Sequence, residues 1–158
     1  MQDQVHCNNK ATKTKNIMNT KSTSLANYFA LSSLASQLSK TLDRNLSIIH
    51  GIGITEFTVM HSLQQAPQST MSRIDLANSI GLSASGVTRL LIPMEKIGLV
   101  EKEQNARDAR VSLVKLSSAG QRIYTDALTT SSAACDAFYE PLSSKQRTQL
   151  NDLVSQLR

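Results

Sequence analysis

The chain has no tryptophan, and its aromatic side chains are three tyrosines and three phenylalanines among 158 residues. So few stacking platforms disfavour a partner made of single-stranded nucleic acid, whose bases are gripped against aromatic rings. Two cysteines, Cys7 and Cys135, lie far apart and form no CxxC pair. That argues against a disulfide framework or a zinc site and fits a reducing compartment. The histidines His6, His50 and His61 fall at no metal-ligand spacing. Gly51-x-Gly53 lacks the third glycine of a dinucleotide fingerprint and follows no clear strand. With no Ser/His/Asp order either, neither an enzyme nor a cofactor is expected. No apolar run approaches the roughly 18 residues of a membrane span, and the N-terminal stretch has lysines without an apolar h-region. Neither a membrane span nor a secretory signal is therefore expected, and the cytoplasm is the expected location.

What is present is a modest excess of positive charge with a definite location. The formal net charge is +5. Residues 1–24 and residues 72–122 each carry an excess of basic groups, whereas residues 25–71 balance and residues 123–158 are slightly acidic. A phosphate-binding surface on the middle segment and the N-terminal stretch would need this placement.

Residues 1–21 are polar and aperiodic, which predicts a flexible arm or a short accessory element. From Ser22, apolar residues recur at Leu25, Tyr28, Leu31, Leu34, Leu38, Leu42, Leu46 and Ile49. This spacing predicts an amphipathic helix over 22–50, capped by Ser22 or Ser24. At 1.5 Å per residue it spans roughly 37 Å, more than a small chain covers by itself. Gly51 and Gly53 then break the pattern, and Thr55 is expected to cap a short helix that Pro67 closes. Ser72, with Asp75 three residues on, forms a capping box for the next helix. Gly81 suits a left-handed C-cap, Ser83 caps a second helix over 84–97, and Gly81-Leu82-Ser83 is the turn between the two. Pro93 is expected to bend or fray the second half of that helix. Leu99–Glu103 and Val111–Leu116 read as strands around the loop 104–110, Ser117 caps a helix, and Ser143 with Gln146 opens a last one. The fold class is mainly α with a small β-hairpin wing, a winged helix-turn-helix.

That order suits duplex DNA. The major groove, about 12 Å wide, admits one α-helix read from its N-terminal turns. The second helix starts with small or hydroxylic residues, Ser83, Ser85, Gly86 and Thr88, followed by Arg89. Small residues allow close approach, and hydroxyls near a helix N-terminus suit phosphate oxygens. Ser72 and Arg73, at the start of the preceding helix, are candidate DNA contacts as well. Arg107 and Arg110 at the hairpin tip suit a narrow minor groove, while Asp108 shapes the turn or orients an arginine. A rival use of a winged helix is as a protein-docking module.

Leu76-Ala77, Leu82-Ser83, Val87-Thr88-Arg89-Leu90, Gly98-Leu99-Val100, Asp108-Ala109-Arg110 and Leu116-Ser117 leading to Gly120 together resemble the core of the multiple-antibiotic-resistance-regulator (MarR) family of transcriptional regulators. The resemblance implies a DNA-binding domain over 55–117 and a helical dimerisation region from residues 22–50 and 118–158. It implies a homodimer, most often a repressor, that meets a pseudo-palindromic operator. By position, Ser85, Thr88 and Arg89 become groove or backbone contacts and Arg110 the minor-groove probe. Release by a small aromatic ligand, or by cysteine oxidation, is also common in the family. Tyr28, Arg44, His50 and His61 are the candidate ligand contacts. His61, near Val59 and Leu63, also reads as a satisfied, partly buried histidine, and Tyr28 and Phe29 as dimer-core aromatics. Cys7 lies near His6 and Lys10 in the arm, and Cys135 in an apolar stripe that suits a packed small side chain.

Overall fold

The computed structural model describes residues 3–104 and 112–157, and for residues 3–22, Gln104 and Ser112 it describes the backbone alone. The expected wing-tip residues Arg107, Asp108 and Arg110, and the side chain of Cys7, lie outside the described residues. The chain divides into two compact units, Met1–Ser39 and Lys40–Arg158.

Helix α1 runs from Asp3 to His50. Here the structure departs from the flexible arm expected over 1–21. The first glycine is Gly51 and the first proline Pro67, so nothing earlier interrupts the backbone ladder. A polar composition limits what a helix can bury rather than whether it forms. Helix α2 (Ile54–Gln65) starts before the expected Thr55 cap, with Gly53 at the N-cap. Because glycine offers no capping oxygen, carboxylates stand in. Asp43 Oδ1 accepts the Ile54 N–H at 2.9 Å, and Glu56 Oε2 accepts the Gly53 N–H at 3.1 Å.

After a 3-10 turn at Pro67–Ser69 come strand β1 (Thr70–Ser72), helices α3 (Arg73–Ile80) and α4 (Ala84–Lys96), and strands β2 (Val100–Gln104) and β3 (Ser112–Leu116). The sheet is three-stranded and antiparallel, in the order β1-β3-β2. Strand β1 is an addition to the expected hairpin. Three residues are too few to show alternation, and its partner Val114 lies far along the chain. Helices α5 (Ser118–Phe138) and α6 (Ser144–Gln156) complete the chain.

The core gathers Phe57, Met60 and Leu63 from α2, Leu76 from α3, Val87, Leu91 and Met94 from α4, Val114 from β3 and Tyr124 from α5. Pro93 does not end α4. It is solvent-exposed, and the Ile97 N–H reaches its carbonyl at 3.0 Å. The bond it cannot make would go to Arg89, also on the exposed side, where such a loss costs least. The apolar residues of α5 are split: Tyr124 and Ala127 are buried, whereas Leu128 is exposed. In α6 no residue is buried.

The α4–β2 corner and the start of α5 are built against each other. Gly98 turns with φ 75°, a left-handed geometry that favours glycine. The Ser117 N–H then binds the Leu99 carbonyl at 3.1 Å, and the Ser117 hydroxyl donates to the Gly98 carbonyl while accepting the Gly120 N–H. A Cβ at Gly120 would overlap the Leu99 carbonyl. Since backbone sits on both sides, relief requires moving α5 away from the corner. Gly120→Ala is therefore expected to destabilise the fold by about 3 kcal/mol, as severe overpacking does. Urea unfolding measures this, and a midpoint unchanged from the parent would contradict the packing described.

Candidate nucleic-acid interface

The helix-turn-helix is assembled by caps. Ser72 Oγ accepts the Asp75 N–H at 3.1 Å and donates to Asp75 Oδ2 at 2.6 Å. Helix α3 ends at Gly81, whose φ of 67° and ψ of 29° are left-handed, and the Leu82 N–H closes back on the Ala77 carbonyl at 3.0 Å. Ser83 Oγ then accepts the Gly86 N–H at 3.1 Å and lies 3.1 Å from Ser85 Oγ. One face of α4 buries Val87, Leu91 and Met94, and this turns Ala84, Ser85 and Arg89 outward.

These contacts sort the expected site residues. The Ser72 hydroxyl is engaged in its own cap as both donor and acceptor. Ser83 is also a cap, and Thr88 Oγ1 donates to the Ala84 carbonyl at 2.9 Å. A Cβ at Gly86 would lie 3.2 Å from Ser83 Oγ, a tight approach to the capping oxygen itself, and in ordinary contact with Leu82. Ser85 and Arg89 are exposed, and Arg89 has no ion pair among the described residues. The outer surface of α4 near its N-terminus is thus small, hydroxylic and singly cationic.

Arg73 differs from Arg89. Its Nη2 lies 3.7 Å from Glu95 Oε1, and Glu95 Oε2 also receives Lys102 Nζ at 2.7 Å. On the opposite face of the sheet Lys115 lies between Glu103 at 3.3 Å and Glu101 at 3.5 Å. Hydrogen bonding and attraction to Glu103, and then to Glu101, push the Lys115 pKa above its ordinary value. Sequence reasoning missed Glu95 and both lysines as an organised set. Their signal was the alternation along β2, which places Lys102 on the face of Val100.

The candidate ligand contacts do not converge on one site. Tyr28 and Phe29, in the first unit, are both 62% exposed and meet edge to face at 5.3 Å. Arg44 is exposed. His50 Nε2 bonds Thr130 Oγ1 at 2.7 Å, and His61 Nδ1 bonds the Tyr124 hydroxyl at 3.0 Å. His61 is satisfied, as expected, but exposed rather than partly buried. Its ring packs with those of Phe57 and Tyr124. A cavity of about 350 Å³ beside them is lined by Leu42, Phe57, His61, Leu128, Ser131 and Cys135, among others. Of the candidates in the second unit, Arg44, His50 and His61, only His61 lines it. A buried tyrosine needs a hydroxyl partner, and that was the signal by which Tyr124 and His61 could have been paired.

Cys135 is half-buried, and desolvation, assisted by the Asp136 carboxylate, pushes its thiol pKa up. Among the described residues no group of three His, Cys, Asp or Glu side chains could hold a metal. No described helix is long and apolar enough to cross a membrane.

A family model described as MarR family matches residues 52–112. The HTH-type transcriptional regulator FarR of Neisseria gonorrhoeae is 30% identical over 92 residues, which are 58% of this chain and 63% of that protein. The match thus spans less than two thirds of that relative's length. AbsC, a MarR family transcriptional regulator from Streptomyces coelicolor, superposes with a TM-score of 0.74 at 18% identity, covering 84% of this chain and 89% of its own. A mutant MarR from E. coli, solved in complex with operator DNA, superposes with a TM-score of 0.72 at 20% identity, covering 81% and 90%. At such identities the structural matches establish the fold, a winged helix-turn-helix. The similarity to the MarR family model covers residues 52–112, which include α2, α3, α4 and β2.

Proposed function

We propose that this chain is a transcriptional regulator that binds a pseudo-palindromic duplex as a homodimer. The observation that carries the reading is the outward face of α4, where Ser85 and Arg89 stand exposed on a capped helix whose opposite face is locked into the core. Helix α4 would enter the major groove, with Arg89 on a phosphate or guanine edge, and Arg110 would reach the flanking minor groove. The Ser83 and Ser72 caps would aim backbone N–H groups at phosphates. Similarity to FarR and to a MarR protein crystallised with operator DNA supports this reading.

Dimerisation accounts for apolar side chains that remain uncovered within single elements. On α1, Leu25, Tyr28, Phe29, Leu31 and Leu34 are 48–62% exposed, and Leu153 and Val154 on α6 with Leu157 at its C-cap are 49–82% exposed. Exposed apolar rows of this kind mark interfaces. A two-fold dimer gives a two-fold site, hence the palindrome. We assign repression, a cytoplasmic location and release by a small aromatic molecule in keeping with the family. The cavity beside Phe57 and His61 is the place where such a molecule would stack.

Selection from random duplex DNA is expected to recover an inverted repeat. Recovery of no preferred duplex would favour the protein-docking use of the fold. Arg89→Ala and Arg110→Ala are each expected to weaken binding to the recovered site by ~1–3 kcal/mol. A titration at fixed salt checks this, and unchanged affinity would remove either residue from the contact set.

Replacing Phe29 and Leu31 together by glutamate is expected to convert a dimer into a monomer in sedimentation experiments and to abolish tight binding to the full repeat. A double variant that still sediments as a dimer would place the interface elsewhere.

The raised pKa of Cys135 keeps its thiol poorly reactive at neutral pH. Cys135→Ser is therefore expected to leave DNA binding unaltered, with or without peroxide. Loss of a peroxide response in that variant would make oxidation the controlling signal.

A further inference from the structure

The Arg73–Glu95–Lys102 cluster joins three elements with one carboxylate. Arg73 opens α3, Glu95 lies in the last turn of α4, and Lys102 belongs to β2, the edge strand of the wing. Register shows why the cluster exists. Val100 faces Leu116 and Lys102 faces Val114 across the hairpin. Alternation therefore puts Lys102 on the same face as Val100, Val114 and Leu116, all buried. The Lys102 side chain starts on that face and is 55% exposed, and its ammonium meets Glu95 Oε2 at 2.7 Å. The other oxygen, Oε1, is buried without a hydrogen bond, as is Arg73 Nε, and the two residues stand as an ion pair at 3.7 Å. The Glu95 side chain is only 21% exposed, so solvent screens this carboxylate less than one at the surface.

We infer that Glu95 is a positioning residue that sets the angle between the wing and α4, and so the spacing of the major- and minor-groove contacts. This rests on the DNA-binding reading given above. Glu95 touches no DNA in that reading; it acts through Lys102 and Arg73. Its removal would leave two cations facing each other beside α4, with β2 no longer tied to the helix. The assignment turns Arg73 from a candidate DNA contact into part of the frame, together with Lys102.

The sign of the effect separates framing from simple charge. Removing an acidic group from a DNA-binding domain strengthens attraction to phosphate if charge alone matters. Framing predicts the reverse. Glu95→Gln, titrated against the duplex recovered by selection, is expected to bind roughly fivefold more weakly, the size of a partly screened ion pair. Lys102→Gln is expected to lose a similar factor, and the double variant no more than either single one, with the salt slope unchanged throughout. If Lys102 instead contacts a phosphate, Lys102→Gln lowers the slope by about one while Glu95→Gln binds equally well or more tightly, and the inference fails.

A second measurement requires no DNA. In Glu95→Gln, amide hydrogen exchange is expected to quicken in β2, β3 and the last turn of α4 and to stay at parental rates in α2 and α5. Parental exchange in β2 and β3 would overturn the proposal. If the parent protein selects no duplex, the functional reading fails, and exchange alone decides whether Glu95 holds the wing.

Discussion

The fold hangs on the corner where α4 passes into β2 beneath the start of α5. The Leu99 carbonyl accepts the Ser117 N–H, and Gly120 lies so close to it that no side chain fits between. That approach fixes three directions at once: the exit of α4, the departure of β2 and the axis of α5. Because α4 carries the outward face assigned to DNA and β2 leads into the wing, their relation is set at this corner before any charged contact forms. Backbone supplies the constraint, so it tolerates little adjustment.

Charge acts on top of that frame. Glu95 holds Lys102 and Arg73 on one face of the sheet, and Glu101 and Glu103 hold Lys115 on the other. The Lys115 set is partly exposed and contributes little stability, and the Lys102 side chain is itself 55% exposed. Glu95 is the more buried carboxylate, where an unpaired ion costs more. Lys102 also places a charge on the edge strand β2, a device that discourages pairing with a second sheet.

Local chemistry was legible in the sequence wherever a few adjacent residues decide the outcome. Ser72, Ser83, Ser117 and Ser143 are all N-caps, and Gly81 is the left-handed end of α3. Each depends on a hydroxyl or a missing Cβ acting within about one turn of helix. What escaped depends on distant partners. Strand β1 is defined by β3 rather than by its own three residues. The cap of α2 was misplaced because Asp43, from α1, supplies an oxygen that glycine lacks. The long reach of α1 was missed because polarity was read as irregularity, although nothing before Gly51 breaks a helix. For the interface, the exposed start of α4 was foreseen, whereas the division of the arginines into paired and unpaired was not.

That division changes what the charge count means. Between Arg73 and Arg122, three of the described cations, Arg73, Lys102 and Lys115, are held by carboxylates. Arg89, Lys96 and Arg122 make no ion pair among the described residues. The acidic groups of this segment therefore do not simply dilute its positive charge. Glu95, Glu101 and Glu103 neutralise the cations that hold the scaffold, which leaves the unpaired ones, Arg89 on the outer face of α4 among them, to define the field outside. A duplex approaching that surface meets less total charge than the composition suggests, but the charge it meets is placed. For recognition by a helix of limited reach, placement matters more than amount, because screening removes contributions from groups more than about 8–10 Å away. The modest net charge is thus compatible with a DNA reader whose register is fixed mainly by its frame.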